Sequence, residues 1–180
     1  MPNSPFRTEQ FTSEHFVESA GVVLIHKSSR KVCLIHHRHE DQWLLPKGRR
    51  NLAESREEAA TREAKEETGY ACDILPISMK SRAPPTGDDD DGVHVYESVY
   101  EAFMVTLRHL DERDVKVIWW YVAAVDERAG KAAGEQQSVE AVLVDFGAAV
   151  EQLTFAEDQE VMKRGLRLYV DTHEEKGGEI

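Results

Sequence analysis

A short segment with capping signals at both ends constrains this chain most strongly. Ser55 is followed three residues later by Glu58, which is the pattern of a capping box. Gly69 is the residue type that commonly ends a helix at its C-terminal side. The segment therefore predicts a helix from about Arg56 to Thr68, and this helix determines which of its side chains can meet.

Glutamates cluster on one face of this predicted helix. Glu63, Glu66 and Glu67 are related by steps of three and four residues, so their carboxylates lie on the same side. Clustered carboxylates repel one another unless a cation intervenes, and hard oxygen ligands suit Mg²⁺ or Mn²⁺. Because Mg²⁺ usually completes its shell with water and phosphate oxygens, the face predicts a phosphate-processing metal site. A solvated helix with surface ion pairs is the alternative.

The segment from Gly48 to Tyr70 resembles the signature of the Nudix hydrolases. The matching residues are Gly48, Glu54, Arg62, Glu63, Glu66, Glu67 and Gly69. Tyr70 departs from the usual aliphatic residue, a change that concerns local packing rather than the metal site. The resemblance implies an α+β fold, an α/β/α sandwich with a mixed β-sheet. It also implies Mg²⁺-dependent (or Mn²⁺-dependent) hydrolysis of a diphosphate linked to another group.

The same resemblance implies the roles of the motif residues. The implied metal ligands are the backbone carbonyl of Gly48 and the carboxylates of Glu63, Glu66 and Glu67. The implied catalytic set is Glu66, Glu67 and Glu63, with Arg62 and Glu54 in orienting or supporting roles. Water activated by the metal would attack phosphorus. Glu66 is a candidate general base, and a base from another loop, Glu135 or Glu140, is an open alternative.

Basic and aromatic residues outside the helix are candidates for substrate binding. They are Lys47, Arg49, Arg50, Arg38, Trp119 and Trp120. Arginine can hold phosphate by forked hydrogen bonds, and lysine acts as a point charge. Trp119 and Trp120 lie in a predicted strand and therefore face opposite sides. One of them could stack on a base, and core packing is the alternative.

Weaker similarities bear on the substrate. The segments LLPKG, VIWWYVAAV and LTFAEDQEV are similar to Nudix members that act on dinucleoside polyphosphates. Pro-Lys-Gly also occurs in relatives that cleave diphosphoinositol polyphosphates, for which Lys80 and Arg82 would add positive charge. A catalytically silent module that senses a nucleotide or binds a protein is the alternative from another class.

Composition limits the class of partner. The formal charge of −12 disfavours unassisted binding to nucleic acid or an anionic membrane, so a small-molecule phosphate anhydride is the expected partner.

With 180 residues we expect one domain at 17–172, between a polar lead at 1–16 and a flexible tail at 173–180. Cys33 and Cys72 are expected to be reduced, buried thiols. The sequence predicts a cytoplasmic location, with the nucleus as an alternative, and leaves the oligomeric state open.

Alternating and apolar runs predict the remaining elements. We expect a hairpin from SAGVVLIHK and KVCLIHH, and strands in ACDILPISMK, VHVYESVYEAFMVTL, VKVIWWYVAAV and VEAVLVDF. One or two helices are expected between residue 147 and residue 173. The run from Asp88 to Asp91 is interpreted as a solvated loop rather than a calcium site.

Overall fold

The structure is a computed structural model that describes residues 5–87, 90–132 and 139–174. The strands are β1 (Phe16–His26), β2 (Lys31–His37), β3 (Gln42–Leu44), β4 (Lys47–Arg49), β5 (Cys72–Ile74), β6 (Ile77–Ser81), β7 (His94–Val99), β8 (Met104–His109), β9 (Val115–Val125) and β10 (Val139–Asp145). The helices are α1 (Arg56–Thr68), α2 (Phe146–Gln152) and α3 (Ala156–His173).

The main sheet is mixed. Its central order is β10-β2-β1-β9-β5, while β3 pairs with β2, β4 with β1 and β8 with β9. β1 and β9 run parallel over ten paired positions, whereas the other pairings of this sheet are antiparallel. β6 and β7 form a separate two-stranded sheet. The predicted hairpin is confirmed as β1 and β2.

Alternate residues of β1 fill two different cores. Ala20, Val22 and Leu24 pack in one cluster with alanines of α1. Val23 and Ile25 pack in the other cluster, which contains residues of α2 and α3. Because successive side chains of a strand point to opposite faces, this pattern places α1 on one face of the sheet and α2 with α3 on the other. The expected α+β sandwich around a mixed sheet is confirmed.

Two predicted strands are each divided in the structure. ACDILPISMK forms β5 on the main sheet and β6 on the small sheet, with Pro76 between them. Proline cannot donate to a strand ladder, so a break at this position is expected physically. VHVYESVYEAFMVTL likewise forms β7 on the small sheet and β8 on the main sheet. Both segments cross from one sheet to the other, which local alternation does not reveal.

Other expectations concern cysteines and membrane segments. Cys33 and Cys72 are both free thiols, as predicted; Cys33 is buried and Cys72 partly buried. Within the described ranges, the helices are all too short or too polar to cross a bilayer. Asp88 and Asp89 lie outside the described residues, whereas Asp90 accepts a hydrogen bond from the backbone of Gly92 at 2.9 Å.

Candidate functional site

The helix α1 has the predicted bounds and both predicted caps. The Ser55 side chain accepts from the Glu58 backbone at 3.1 Å, and the Glu58 carboxylate accepts from the Ser55 backbone at 2.7 Å. At the other end Gly69 adopts φ 75°, a left-handed conformation that glycine tolerates best. These caps fix the start and end of the helix that carries the glutamates.

Small side chains allow α1 to lie close against the sheet. Ala59, Ala60 and Ala64 are fully buried, and they pack in the same cluster as β1 and β9. The strand β4 pairs with β1, so that Gly48 lies opposite Ala20 on the face covered by α1. The carboxylate of Glu63 lies directly against Gly48: a Cβ added to this glycine would be 1.9 Å from the Glu63 Cδ atom. Only glycine leaves room for Glu63 in this position.

Glu67 is a partly buried acid of the cluster, and it lies against β4. Its Oε2 accepts a hydrogen bond from the backbone N–H of Lys47 at 2.9 Å. Burial raises the pKa of Glu67 to about 7, and the charges of Glu63 and Glu66 act in the same direction. The Lys47 backbone hydrogen bond and ammonium charge oppose this rise in the pKa. A carboxylate in these surroundings gains stability from a nearby cation.

Arg62 connects the helix acids to the loop before α1. Its guanidinium donates to both carboxylate oxygens of Glu54, at 2.7 and 3.0 Å. A different nitrogen donates to Glu63 at 2.9 Å and to Glu66 at 3.0 Å. Glu54 raises the pKa of Arg62, and Arg62 in turn holds the pKa of Glu54 below its usual value. Glu54 therefore orients Arg62, and Arg62 orients the carboxylates of Glu63 and Glu66.

The donor set suits a divalent cation in its chemistry. Glu63, Glu66 and Glu67 offer carboxylate oxygens, and the absence of a Cβ at Gly48 lets the Glu63 carboxylate lie against the Gly48 backbone. Across the described part of the chain, however, no group of three His, Cys, Asp or Glu side chains is arranged closely enough to hold a metal. The reason is visible in the hydrogen bonds: Arg62 engages Glu63 and Glu66, while Glu67 turns to the Lys47 backbone. Holding a cation would require these carboxylates to exchange partners.

The alternative base candidates lie on or next to β10. Glu140 accepts two hydrogen bonds from Arg38, at 2.7 and 3.1 Å, and this arginine holds the pKa of Glu140 below its usual value. Arg38 is also a predicted substrate ligand, and the structure shows it ion-paired with Glu140. Glu135, the other candidate base, lies outside the described residues.

The three basic residues around Gly48 have different surroundings. Arg50 is ion-paired with Glu18 at 2.9 Å and also donates to the Glu54 backbone carbonyl at 2.8 Å. Lys47 and Arg49 form no ion pair with any described residue. These two therefore keep their charge available for a ligand, while that of Arg50 is neutralised by Glu18.

Trp119 and Trp120 lie on opposite faces of β9, as their alternation predicts. Trp120 is fully buried, and its indole N–H donates to the Thr106 hydroxyl at 2.9 Å. This burial corrects the prediction that Trp120 binds substrate, because its ring is not accessible to a base. Trp119 is partly buried, with the Arg56 guanidinium 3.9 Å from its ring centre. One face of Trp119 is thus already covered.

A cleft that sequence patterns do not reveal lies between β8 and the start of α3. Its volume is about 320 Å³, and its lining includes Thr106, Arg108, Phe155 and Glu157. Phe155 is 38% exposed, which makes it an accessible aromatic ring beside a cationic side chain. In the sequence, Phe155 is an aromatic residue just before a predicted helix, and this signal alone does not indicate a binding site.

The chain is similar in sequence to known proteins. A model of the NUDIX domain matches residues 15–163. An 8-oxo-(d)GTP phosphatase from Mycolicibacterium smegmatis is 26% identical over 183 residues, which cover 96% of this chain. The chain spans only 48% of the length of that relative.

Solved structures share the fold at low sequence identity. A hydrolase of the NUDIX family from Clostridium perfringens has a TM-score of 0.54 and 16% identity, and the match covers 87% of this chain and 99% of that one. The E. coli dihydroneopterin triphosphate pyrophosphohydrolase has a TM-score of 0.50 and 14% identity, covering 83% of this chain and 96% of that one. At these identities the likeness shows the fold alone.

Proposed function

Because this chain belongs to the NUDIX hydrolase family, we propose that it hydrolyses a phosphoric anhydride bond of a nucleoside polyphosphate, with Mg²⁺ or Mn²⁺ as cofactor. The observation that carries the proposal is the Glu63 carboxylate against Gly48, with the partly buried Glu67 on the same helix. The name of the mycobacterial relative, an 8-oxo-(d)GTP phosphatase, supports a nucleoside triphosphate as substrate.

Each part of the site has a separate task in this proposal. Glu63, Glu66, Glu67 and the Gly48 carbonyl would hold the cation, which when bound neutralises phosphate oxygens and favours ionisation of the attacking water. Arg62 orients Glu63 and Glu66, and Glu54 in turn holds Arg62 by two hydrogen bonds.

The reaction itself is a displacement at phosphorus. A water oxygen forms the new P–O bond, the anhydride P–O bond breaks, and the leaving phosphate departs as an anion. Glu66 is 57% exposed in its side chain and is our candidate to accept the proton of the water. The Lys47 side chain lies on the face of β4 opposite to Gly48, but its charge acts on Glu67, so Lys47 would help to stabilise the charge that develops on phosphate.

The finer substrate within this class is a nucleoside triphosphate or a dinucleoside polyphosphate. A diphosphoinositol polyphosphate has less support, because the two additional cations proposed for it are not on the main sheet. Lys80 lies in β6 of the separate small sheet, and Arg82 directly follows β6. The basic set proposed for such a ligand also includes Lys47, Arg49 and Arg50, and Arg50 is already paired with Glu18. Phe155 is the exposed ring beside the cleft and is a better candidate than Trp120 for contact with a base.

The test is hydrolysis by the purified chain with Mg²⁺, with Mn²⁺ and with a chelator. Substrates would be 8-oxo-dGTP, diadenosine tetraphosphate, ADP-ribose and a diphosphoinositol phosphate, with products resolved by ion exchange. Glu67→Gln is the informative variant, because the amide oxygen can still accept from the Lys47 backbone while the charge is lost. We expect a loss of activity of about 100-fold or more with an unchanged fold.

Glu151→Gln provides a matched control, because Glu151 is an exposed residue of α2, on the face of the sheet opposite to α1. It should keep wild-type turnover. Hydrolysis of none of these substrates, or turnover that Glu67→Gln leaves unchanged, would contradict the proposed function. Binding of a nucleotide without turnover would favour the silent module.

A further inference from the structure

The register of four strands places basic side chains in rows on one face of the main sheet. Directly paired residues of neighbouring strands point to the same face. Lys47 of β4 is paired with Gly21 of β1, and Gly21 is paired with Trp120 of β9. A Cβ on Gly21 would lie 2.6 Å from both the Lys47 Cβ and the Trp120 ring, which confirms that these groups share a face.

The following rows continue the same face along β1. Arg49 is paired with Ser19, two residues before Gly21. Lys116 is paired with Val17, a further two residues back, and with Arg108 of β8. Lys47, Arg49, Lys116 and Arg108 therefore all lie on the face opposite to α1, and we refer to these four residues as the basic strip. From β4 to β8 the strip crosses three strand spacings, about 14 Å.

The ion pairs of the described residues do not include the side chains of the basic strip. No described carboxylate forms an ion pair with any of its four members. Burial lowers the pKa of Lys116, and the charges of Lys47, Arg49 and Arg108 lower it further. In a chain with a formal charge of −12, four mutually repelling cations on one face are unusual.

Two arginines that meet the α1 side of β1, Arg50 after β4 and Arg56 at the start of α1, provide a contrast. Arg50 and Arg56 are both paired with Glu18, at 2.9 and 2.7 Å. The lack of ion pairs is therefore a property of the strip, since cations close by in sequence do find carboxylates. An anion that binds the strip would relieve the repulsion.

Buried polar groups lie next to the strip. The Ser19 hydroxyl, in the row of Arg49, is 1% exposed as a residue and has no hydrogen-bond partner among the described residues. Asp158 in the first turn of α3 is 2% exposed, and it lies within electrostatic range of Lys47 and Arg108. The cleft lined by Arg108 and Phe155 continues from the strip toward α3.

We propose that Arg108 and Lys116 bind the part of the substrate that lies away from the scissile bond, so that the protein selects chains of three or more phosphates over diphosphates. The inference rests on the proposed function, because the strip begins at Lys47, whose backbone N–H donates to Glu67 and whose charge acts on that carboxylate. The Lys47 side chain itself lies on the face of β4 opposite to Gly48. Arg108 and Lys116 are too far across the sheet to hold the reacting phosphate. They act on specificity rather than on the chemical step.

The first experiment measures binding without turnover. In a Glu67→Gln background, inorganic tripolyphosphate and pyrophosphate would be titrated by calorimetry into the parent and into Arg108→Gln/Lys116→Gln. We expect affinity for tripolyphosphate to fall by about 10-fold or more, and for pyrophosphate by less than about 3-fold. Lys116→Arg alone keeps the charge and should keep most of the affinity.

Lys163→Gln/Arg167→Gln is the control, because it removes the same charge from exposed positions of α3. Equal weakening by this control would overturn the inference, since the overall charge would then explain the effect. Unchanged affinity of Arg108→Gln/Lys116→Gln for tripolyphosphate would also overturn the inference. Thermal unfolding of each variant verifies that it is folded.

A second experiment separates this inference from the proposed function. With active protein, the strip variant should raise KM for a nucleoside triphosphate and leave kcat and the KM for ADP-ribose nearly unchanged. If nothing is hydrolysed but tripolyphosphate binding depends on the strip, the proposed function fails and the selection of longer phosphate chains by the strip still stands. If hydrolysis is present but KM is unchanged for every substrate, the inference fails and the proposed function stands.

Discussion

Gly48→Ala is the substitution that tests the site geometry most directly. A Cβ at this position would lie 1.9 Å from Cδ and Oε2 of Glu63, and 2.3 Å from Oε1. Ordinary contact between such atoms begins at about 3.5 Å, so the carboxylate would have to retreat by roughly 1.5 Å. The backbone at Gly48 is not in the left-handed region, so alanine introduces no strain of its own.

The expected effect on activity is large and the effect on stability small. A misplacement of about 1 Å at a reacting centre can reduce the rate about 100-fold, which corresponds to roughly 2.7 kcal/mol of barrier. The displaced group is the end of a flexible side chain, and its movement breaks one hydrogen bond from Arg62, worth about 1 kcal/mol. Reduced freedom of the unfolded chain offsets about 0.4–1 kcal/mol of that destabilisation.

The assay is kcat/KM for the best substrate together with the thermal unfolding midpoint. Gly147→Ala is the matched control, because Gly147 lies in α2 with nothing within 4 Å of the added Cβ. The control should keep full activity, with a stability gain of about 0.5–1 kcal/mol from replacing a helical glycine. Wild-type kcat/KM in Gly48→Ala would refute the importance of the close approach between Gly48 and Glu63. Inactivation through unfolding would refute the claim that the effect is local.

Three further substitutions test other parts of the structure. Gly21→Ala would place a Cβ 2.6 Å from the buried ring of Trp120, and overpacking of this kind should cost about 1–3 kcal/mol in a denaturant titration; an unchanged midpoint would contradict the packing. Ser55→Ala removes the side-chain acceptor of the capping box and should cost about 1 kcal/mol, whereas unchanged stability would mean that water replaces the cap. For Glu18, burial acts to raise the pKa, but the hydrogen bond and charge of Arg56 outweigh it and hold the pKa below 4.5. The ionised group therefore adds stability above about pH 4.5 that is lost as pH falls through the lowered pKa, so Glu18→Gln should weaken the acid dependence of urea unfolding; an unaltered pH profile would contradict the ion-pair network.

The element that could be predicted best is α1. Its capping residues and the spacing of Glu63, Glu66 and Glu67 are contained within a few turns of one helix, where hydrogen bonds join residues four apart. The alternation in β9 also predicted correctly that Trp119 and Trp120 face opposite sides. It could not decide which of the two faces is buried, because that depends on the partners of β9.

Partners distant in sequence determine the surroundings of three predicted substrate ligands. Trp120 is buried because β9 runs parallel to β1, whose Gly21 leaves space for the ring. The sequence predicts Arg38 and Arg50 as phosphate ligands, but each meets a carboxylate from a remote strand, Glu140 and Glu18. No pattern local to the arginines indicates these pairs.

Local spacing was enough to identify the family, the helix α1 and the acids that share one of its faces. The basic strip depends instead on tertiary structure. Its members Lys47, Arg108 and Lys116 become neighbours only through the register of β4, β1, β9 and β8. This difference arises because helix contacts follow from the chain's own repeat, whereas strand pairing joins distant residues in a register set by the packing of the whole sheet.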